Sequence, residues 1–186
     1  MEINLSSCTV EELWKYVSSH LENRGFDVVL VGGAVVSIYS EGMYTSGDLD
    51  FILRSMNKNE LPKALAEIGF ERTQQRYYKH PDCDHLYLEF PTGPVEIAES
   101  VHVEPDIHKV DQTKIKILSP TDCVLDRLEQ FFVGEYGKPH GERKLFEQAV
   151  LVGKKQPVNL KRIESFCAKE NKQDIFREFC QLIASL

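Results

Sequence analysis

VLVGGAVVSIYSEGMYTSGDLDFIL, residues 29–53, is the stretch whose reading decides the fold. An apolar, β-branched run breaks at Gly32-Gly33. A short apolar helix-like run follows, and then a second apolar run holds Asp48 and Asp50. Side chains alternate along a strand, so Asp48 and Asp50 share one face while Leu49, Phe51 and Leu53 share the other. The apolar set can face a core while the two carboxylates converge. Carboxylates held that close repel unless a cation lies between them, and oxygen donors of this kind suit Mg²⁺. Gly32 and Gly33 close the first strand and open a helix. Without Cβ atoms they let a ligand approach the backbone, and the unpaired N–H groups of a helix N-terminus suit a phosphate. A phosphate cradle and a metal-binding carboxylate pair on adjacent elements are the equipment of phosphoryl or nucleotidyl transfer.

A third acid would complete such a site. HLYLEF (85–90) puts Leu86, Leu88 and Phe90 on one strand face and Tyr87 and Glu89 on the other, repeating the polarity of DLDFIL. Glu96 in PVEIAE has the same polarity and is the rival. Glu89 is favoured because it sits deeper in its apolar run. Taken singly, a Gly-Gly is far more often a turn, and an Asp-x-Asp is more often an exposed pair. The order strand–Gly-Gly–helix–strand–Asp-x-Asp is more specific than either. No Gly-Lys-Ser/Thr follows the glycines and G-x-G-x-x-G is absent, which excludes a Walker A loop and the dinucleotide fingerprint.

Working outward, TVEELWKYVSSHLENRG opens with a capping box, Thr9 and Glu12, and carries Leu13, Trp14, Val17 and Leu21 at helical spacing. NKNELPKALAEIGF reads as helix and ERTQQRYYKH as strand. HLYLEF and PVEIAE read as strands joined by a Pro-Thr-Gly connection, VHVEPDIHKVDQ as loop or irregular strand, and KIKIL as strand. After residue 118 the pattern becomes helical: SPTDCVLDRLEQFF, then about 142–153, 159–170 and 173–185. The expected fold is α/β (α+β): a mixed sheet with helices packed on it, over 1–118, followed by a C-terminal helical region, 119–186.

The 186 residues carry a net charge of −7. Residues 1–137 hold 12 Lys+Arg against 23 Asp+Glu, a charge of −11, while 138–186 hold 10 against 6, a charge of +4. An acidic front half is a poor general binder of nucleic acid, while the basic tail could grip a structured RNA such as a tRNA. A solvated helical surface explains the tail as well. No apolar run approaches the roughly 20 residues of a membrane span, and no secretory signal opens the chain, so a cytoplasmic protein without membrane contact is expected. The five cysteines show no C-x-x-C spacing and read as reduced thiols rather than a disulfide or zinc framework. The six histidines lack paired metal spacing; His140 is the one to watch, against the plainer reading of a surface loop.

On VGG, the spacer, SGDLDFI and the later YLEF, the chain resembles the nucleotidyltransferase superfamily that includes DNA polymerase β. It looks most similar to minimal bacterial and archaeal members, including toxin-like members of abortive-infection and toxin–antitoxin systems. The resemblance covers roughly residues 25–155. It implies an Mg²⁺-dependent enzyme, with two ions and Mn²⁺ as a substitute, in which Asp48, Asp50 and Glu89 are catalytic metal ligands. Gly32 and Gly33 would lie against the β/γ-phosphates of an NTP such as ATP. Ser46, two residues before the first aspartate as in many members, or Thr45 would contact the same phosphates. Arg127 or Arg143 would approach phosphate, with Lys144 a weaker candidate; a surface ion pair with Asp126 is the alternative for Arg127. The acceptor would be a hydroxyl of an RNA 3′ end, a protein side chain or a small molecule. Two other readings stay open: a non-catalytic regulatory or toxin–antitoxin component that binds protein, with an antitoxin partner, and a plain α/β domain with exposed acids.

Overall fold

The computed structural model describes residues 2–55, 57–75, 77–97, 103–134 and 143–185. Helix α1 (Val10–Asn23) starts at the capping box, where the Thr9 hydroxyl accepts from Glu12 N and the Glu12 carboxylate accepts from Thr9 N at 2.8 Å. Strand β1 (Val28–Val31) runs directly into α2 (Gly32–Tyr39), and β2 (Asp48–Leu53) follows. A 3-10 turn (Lys58–Glu60) leads into α3 (Leu61–Ala66), where Pro62 occupies the tolerated first turn. Strands β3 (Glu71–Arg72), β4 (Tyr78–His80), β5 (Cys83–Glu89), β6 (Asp106–Val110) and β7 (Thr113–Ile117) complete the sheet. Helices α4 (Pro120–Val133), α5 (Arg143–Lys155), α6 (Leu160–Lys169) and α7 (Gln173–Ala184) end the chain.

The seven strands form one mixed sheet in the order β3-β4-β5-β2-β1-β7-β6. Strand β1 is antiparallel to β2 and parallel to β7, and β2 is parallel to β5. Helices α1 and α2 lie against the central strands. Helices α4 and α5 pack on α2 and on each other, and α6 and α7 pack on α4 and α5. The expected mixed α/β architecture with a helical C-terminal region is what the chain adopts.

The structure corrects three local expectations. ERTQQRYYKH forms two short strands, not one. PVEIAE does not pair as a hairpin strand over 94–97, where only Ile97 makes an isolated bridge. Two prolines, Pro91 and Pro94, remove ladder donors there. The stretch read as loop or irregular strand holds β6, paired in register with β7 from Asp106↔Ile117 to Val110↔Thr113. Its side chains are mostly exposed, so no apolar alternation announced it. The cysteines are free, as expected, and Cys8, Cys83 and His85, far apart or unremarkable in sequence, are neighbours in space. His140 lies outside the described residues.

Candidate active site

Strand β2 displays the alternation its sequence requires: Leu49 and Phe51 are buried, while Asp48 and Asp50 are half-buried on the opposite face. On β5, Leu86 and Leu88 are buried and Tyr87 and Glu89 half-buried. The parallel pairing sets Asp48 opposite Tyr87 and Asp50 opposite Glu89. The three acids expected to act together are therefore on neighbouring strands and one face. Glu96 is exposed and outside this register.

Burial, then the negative charges of Asp48 and Glu89, push the Asp50 carboxyl up to about 7; Arg127 opposes the rise. A carboxyl so placed is held in check by its neighbours and gains from any cation brought among them. Asp48 is fixed by a 2.6 Å hydrogen bond donated by the Ser46 hydroxyl. Ser46 is itself buried, and its backbone N donates to Ser37 Oγ of α2 at 2.8 Å. The hydroxyl expected to meet phosphate holds this carboxylate, and Ser46 lines the same cavity as Asp48 and Asp50.

Both glycines are required by contact. Gly32 has φ +74°, and a Cβ there would collide with Asp50 Oδ2. A Cβ on Gly33 would lie 2.7 Å from Ser46 Oγ. The N-cap residue of α2 is Val31, which offers no side-chain acceptor, so the first N–H groups of this helix have no side-chain cap. They open on a cavity of about 820 Å³ that Gly32, Gly33, Asp48, Asp50, Arg127 and Lys144 help to line. Glu89 lines an adjoining cavity of about 420 Å³ with Lys58, Arg72 and Tyr78, and Pro91 borders both spaces.

On the far wall, Arg127 is buried and donates to Asp126 Oδ2 from Nε at 2.9 Å and to Gln148 Oε1 at 3.3 Å. The Asp126–Arg127 pair is therefore part of the cavity wall and not a surface ion pair. Arg143 is not brought to the site: its guanidinium pairs with Glu178 and covers the Phe146 ring. Lys144, one residue on, is exposed but lines the cavity, its Nζ 5.5 Å from the Tyr44 ring centre. Thr45 lines a different cavity, beside Cys8. Sequence reasoning passed over Tyr44 and Gln148. Gln148 carried a usable signal, being the one uncharged polar side chain in LFEQAVLV.

The donor set fits divalent cations: the hard carboxylate oxygens of Asp48 and Asp50 lie beside an uncapped helix start, with Arg127 and Lys144 lining the same cavity and Glu89 paired with Asp50 from the next strand. No family model matches the chain, and no curated protein matches it. Among solved structures, the chain is similar to an antigenic nucleotidyltransferase-like protein from Paracoccidioides brasiliensis, with TM-score 0.63 and 16% identity, covering 96% of this chain and 94% of that one. It is also similar to the antibiotic-resistance factor ANT(2'')-Ia in solution, with TM-score 0.53 and 13% identity, covering 92% and 96%. A crystal structure of ANT(2'')-Ia in complex with adenylyl-2''-tobramycin matches with TM-score 0.50 and 14% identity, covering 94% and 98%. From one end to the other, the chain has the fold of nucleotidyltransferase-like proteins.

Proposed function

We propose that this protein is a divalent-metal-dependent nucleotidyltransferase, moving a nucleoside monophosphate from an NTP such as ATP to a hydroxyl acceptor with release of pyrophosphate. One observation carries the reading: Asp48 and Asp50, with Glu89 in register beside them, face the uncapped N-terminus of α2 across a single cavity. Asp48, Asp50 and Glu89 would hold two Mg²⁺ ions, for which Mn²⁺ substitutes. Such ions neutralise the triphosphate and make the attacking hydroxyl easier to deprotonate. The N–H groups of Gly32 and Gly33 receive the β/γ-phosphates. Arg127 and Lys144 add positive charge from the opposite wall, with Gln148 and Asp126 holding the guanidinium in place. Ser46 keeps the Asp48 carboxylate turned toward the site. Glu89, on the border of the second cavity, accepts the acceptor's proton. The acceptor therefore enters from the side of Lys58, Arg72 and Tyr78.

The structural neighbour bound to adenylyl-2''-tobramycin supports a small polyhydroxyl molecule as acceptor. An RNA 3′ end or a protein side chain are the acceptors of the toxin-like alternative. The deciding experiment incubates the chain with each labelled NTP and Mg²⁺ in three arms: aminoglycosides and related small molecules, total RNA, and a protein extract. Label is expected in one arm, and Asp48→Ala and Asp50→Ala should each abolish it while leaving the circular-dichroism spectrum intact. Transfer that persists in both variants rejects the mechanism.

A further inference from the structure

We propose a second, thiolate-based metal site, formed by Cys8, Cys83 and His85 and suited to Zn²⁺. Cys8 belongs to the segment before α1, and Cys83 and His85 open β5. One ligand atom from each lies within 4.8 Å of the others. Cys83 Sγ is 3.9 Å from His85 Nδ1, and His85 Nε2 is 2.9 Å from the Cys8 carbonyl oxygen. A carbonyl can only accept, so in the neutral ring Nε2 carries the proton and Nδ1 presents its lone pair beside the Cys83 sulfur. A hydrogen bond from the remote ring nitrogen to a backbone carbonyl is the usual outer support of a metal-binding histidine.

Two thiolates and one imidazole are borderline-soft donors that select Zn²⁺ over Mg²⁺. Around a tetrahedral Zn²⁺ such donors stand about 3.5–3.8 Å apart, so from within 4.8 Å the cluster needs to contract by no more than about 1.3 Å. The thiols are within hydrogen-bonding reach of Leu5 O at 3.5 Å and Leu86 O at 3.7 Å. Sulfur is a weak donor, and these contacts cost little to exchange for a metal bond. Cys8 and His85 also line a cavity of about 490 Å³, which supplies an entry path and a fourth position for water or a small ligand. An ion here would tie the start of the chain to β5, the strand that carries Glu89. The site is separate from the carboxylate site and does not depend on nucleotidyl transfer.

The test uses the full chain, reduced and stripped with chelator, titrated with Co²⁺ and then Zn²⁺. One equivalent of Co²⁺ is expected to give a near-ultraviolet sulfur-to-metal charge-transfer band and the visible bands of a tetrahedral ion, and Zn²⁺ is expected to remove both. Cys8→Ser, Cys83→Ser and His85→Gln should each weaken binding by at least about tenfold. Cys167→Ser, which removes a buried free thiol of α6, should leave the bands unchanged. Asp48→Ala should do the same, which separates this site from the carboxylates. Reduced wild-type protein that shows no charge-transfer band overturns the proposal, as does a band that survives loss of both Cys8 and Cys83. If the serine variants do not fold, the wild type still decides: Zn²⁺ must slow alkylation of Cys8 and Cys83 in peptide mass spectra, and unchanged alkylation overturns the site.

Discussion

Gly32 shows how tightly single residues are constrained. Its positive φ is costly for any residue with a Cβ, and the added atom would strike the Asp50 carboxylate. Gly32→Ala should therefore destabilise the fold by at least about 1 kcal/mol in chemical denaturation and weaken Mg²⁺ binding, because Asp50 must turn away. Asp50 has its own signature. Its folded pKa lies above the ordinary 3.8, at about 7. A raised carboxyl stabilises the fold fully below the unfolded pKa, and that contribution is lost as pH rises through about 7. Metal-free wild type should thus melt lower at pH 8 than Asp50→Asn, and Mg²⁺ should raise the wild-type melting temperature only. Mg²⁺ affinity should climb between pH 6 and pH 8, as protons cease to compete. A metal-free wild type that outlasts Asp50→Asn at pH 8 would contradict this account.

Element by element, the start of α4 is the junction that places the far wall of the cavity. Ser119 is its N-cap: the hydroxyl accepts from Asp122 N at 3.1 Å and lies 2.6 Å from Asp122 Oδ2. The buried Asp122 carboxylate also accepts from Arg162 of α6 at 2.7 Å. Ser119→Ala should cost about 1 kcal/mol, read as a shifted denaturation midpoint with an unchanged slope. That cap was legible in SPTD, as the capping box of α1 was in TVEE, because caps depend on residues close in sequence. Strand β6 was not legible. Its stability comes from in-register pairing with β7, and an exposed edge strand needs no apolar alternation. Over 94–97 the expectation failed in the opposite way, with a strand's pattern and Pro94, just after Pro91, removing a ladder donor.

Across the whole molecule, the site is assembled from both halves of the chain. Arg127 of α4 reaches the cavity that β1, α2 and β2 open, and Gln148 of α5 supports it. Arg127 opposes the rise in the Asp50 pKa. Arg127→Gln should therefore move the rise of Mg²⁺ affinity to higher pH and raise KM for the NTP, with Asp48 and Asp50 untouched. A pH profile that does not move would show that the guanidinium and the carboxylates are uncoupled. By itself the sequence determined the central motif, since strand alternation and a strand-to-helix glycine turn are local physics. It also pointed to Glu89, because an acid on the polar face of an apolar strand can be read without a partner. Only the tertiary structure put Glu89 beside Asp50, through the parallel pairing of β2 and β5. It alone put Lys144, and not Arg143, on the cavity lining, because residues adjacent on a helix face different sides and packing sets which side meets the cavity. It alone brought Cys8 to Cys83 and His85, a contact between distant segments that no spacing rule along the chain records.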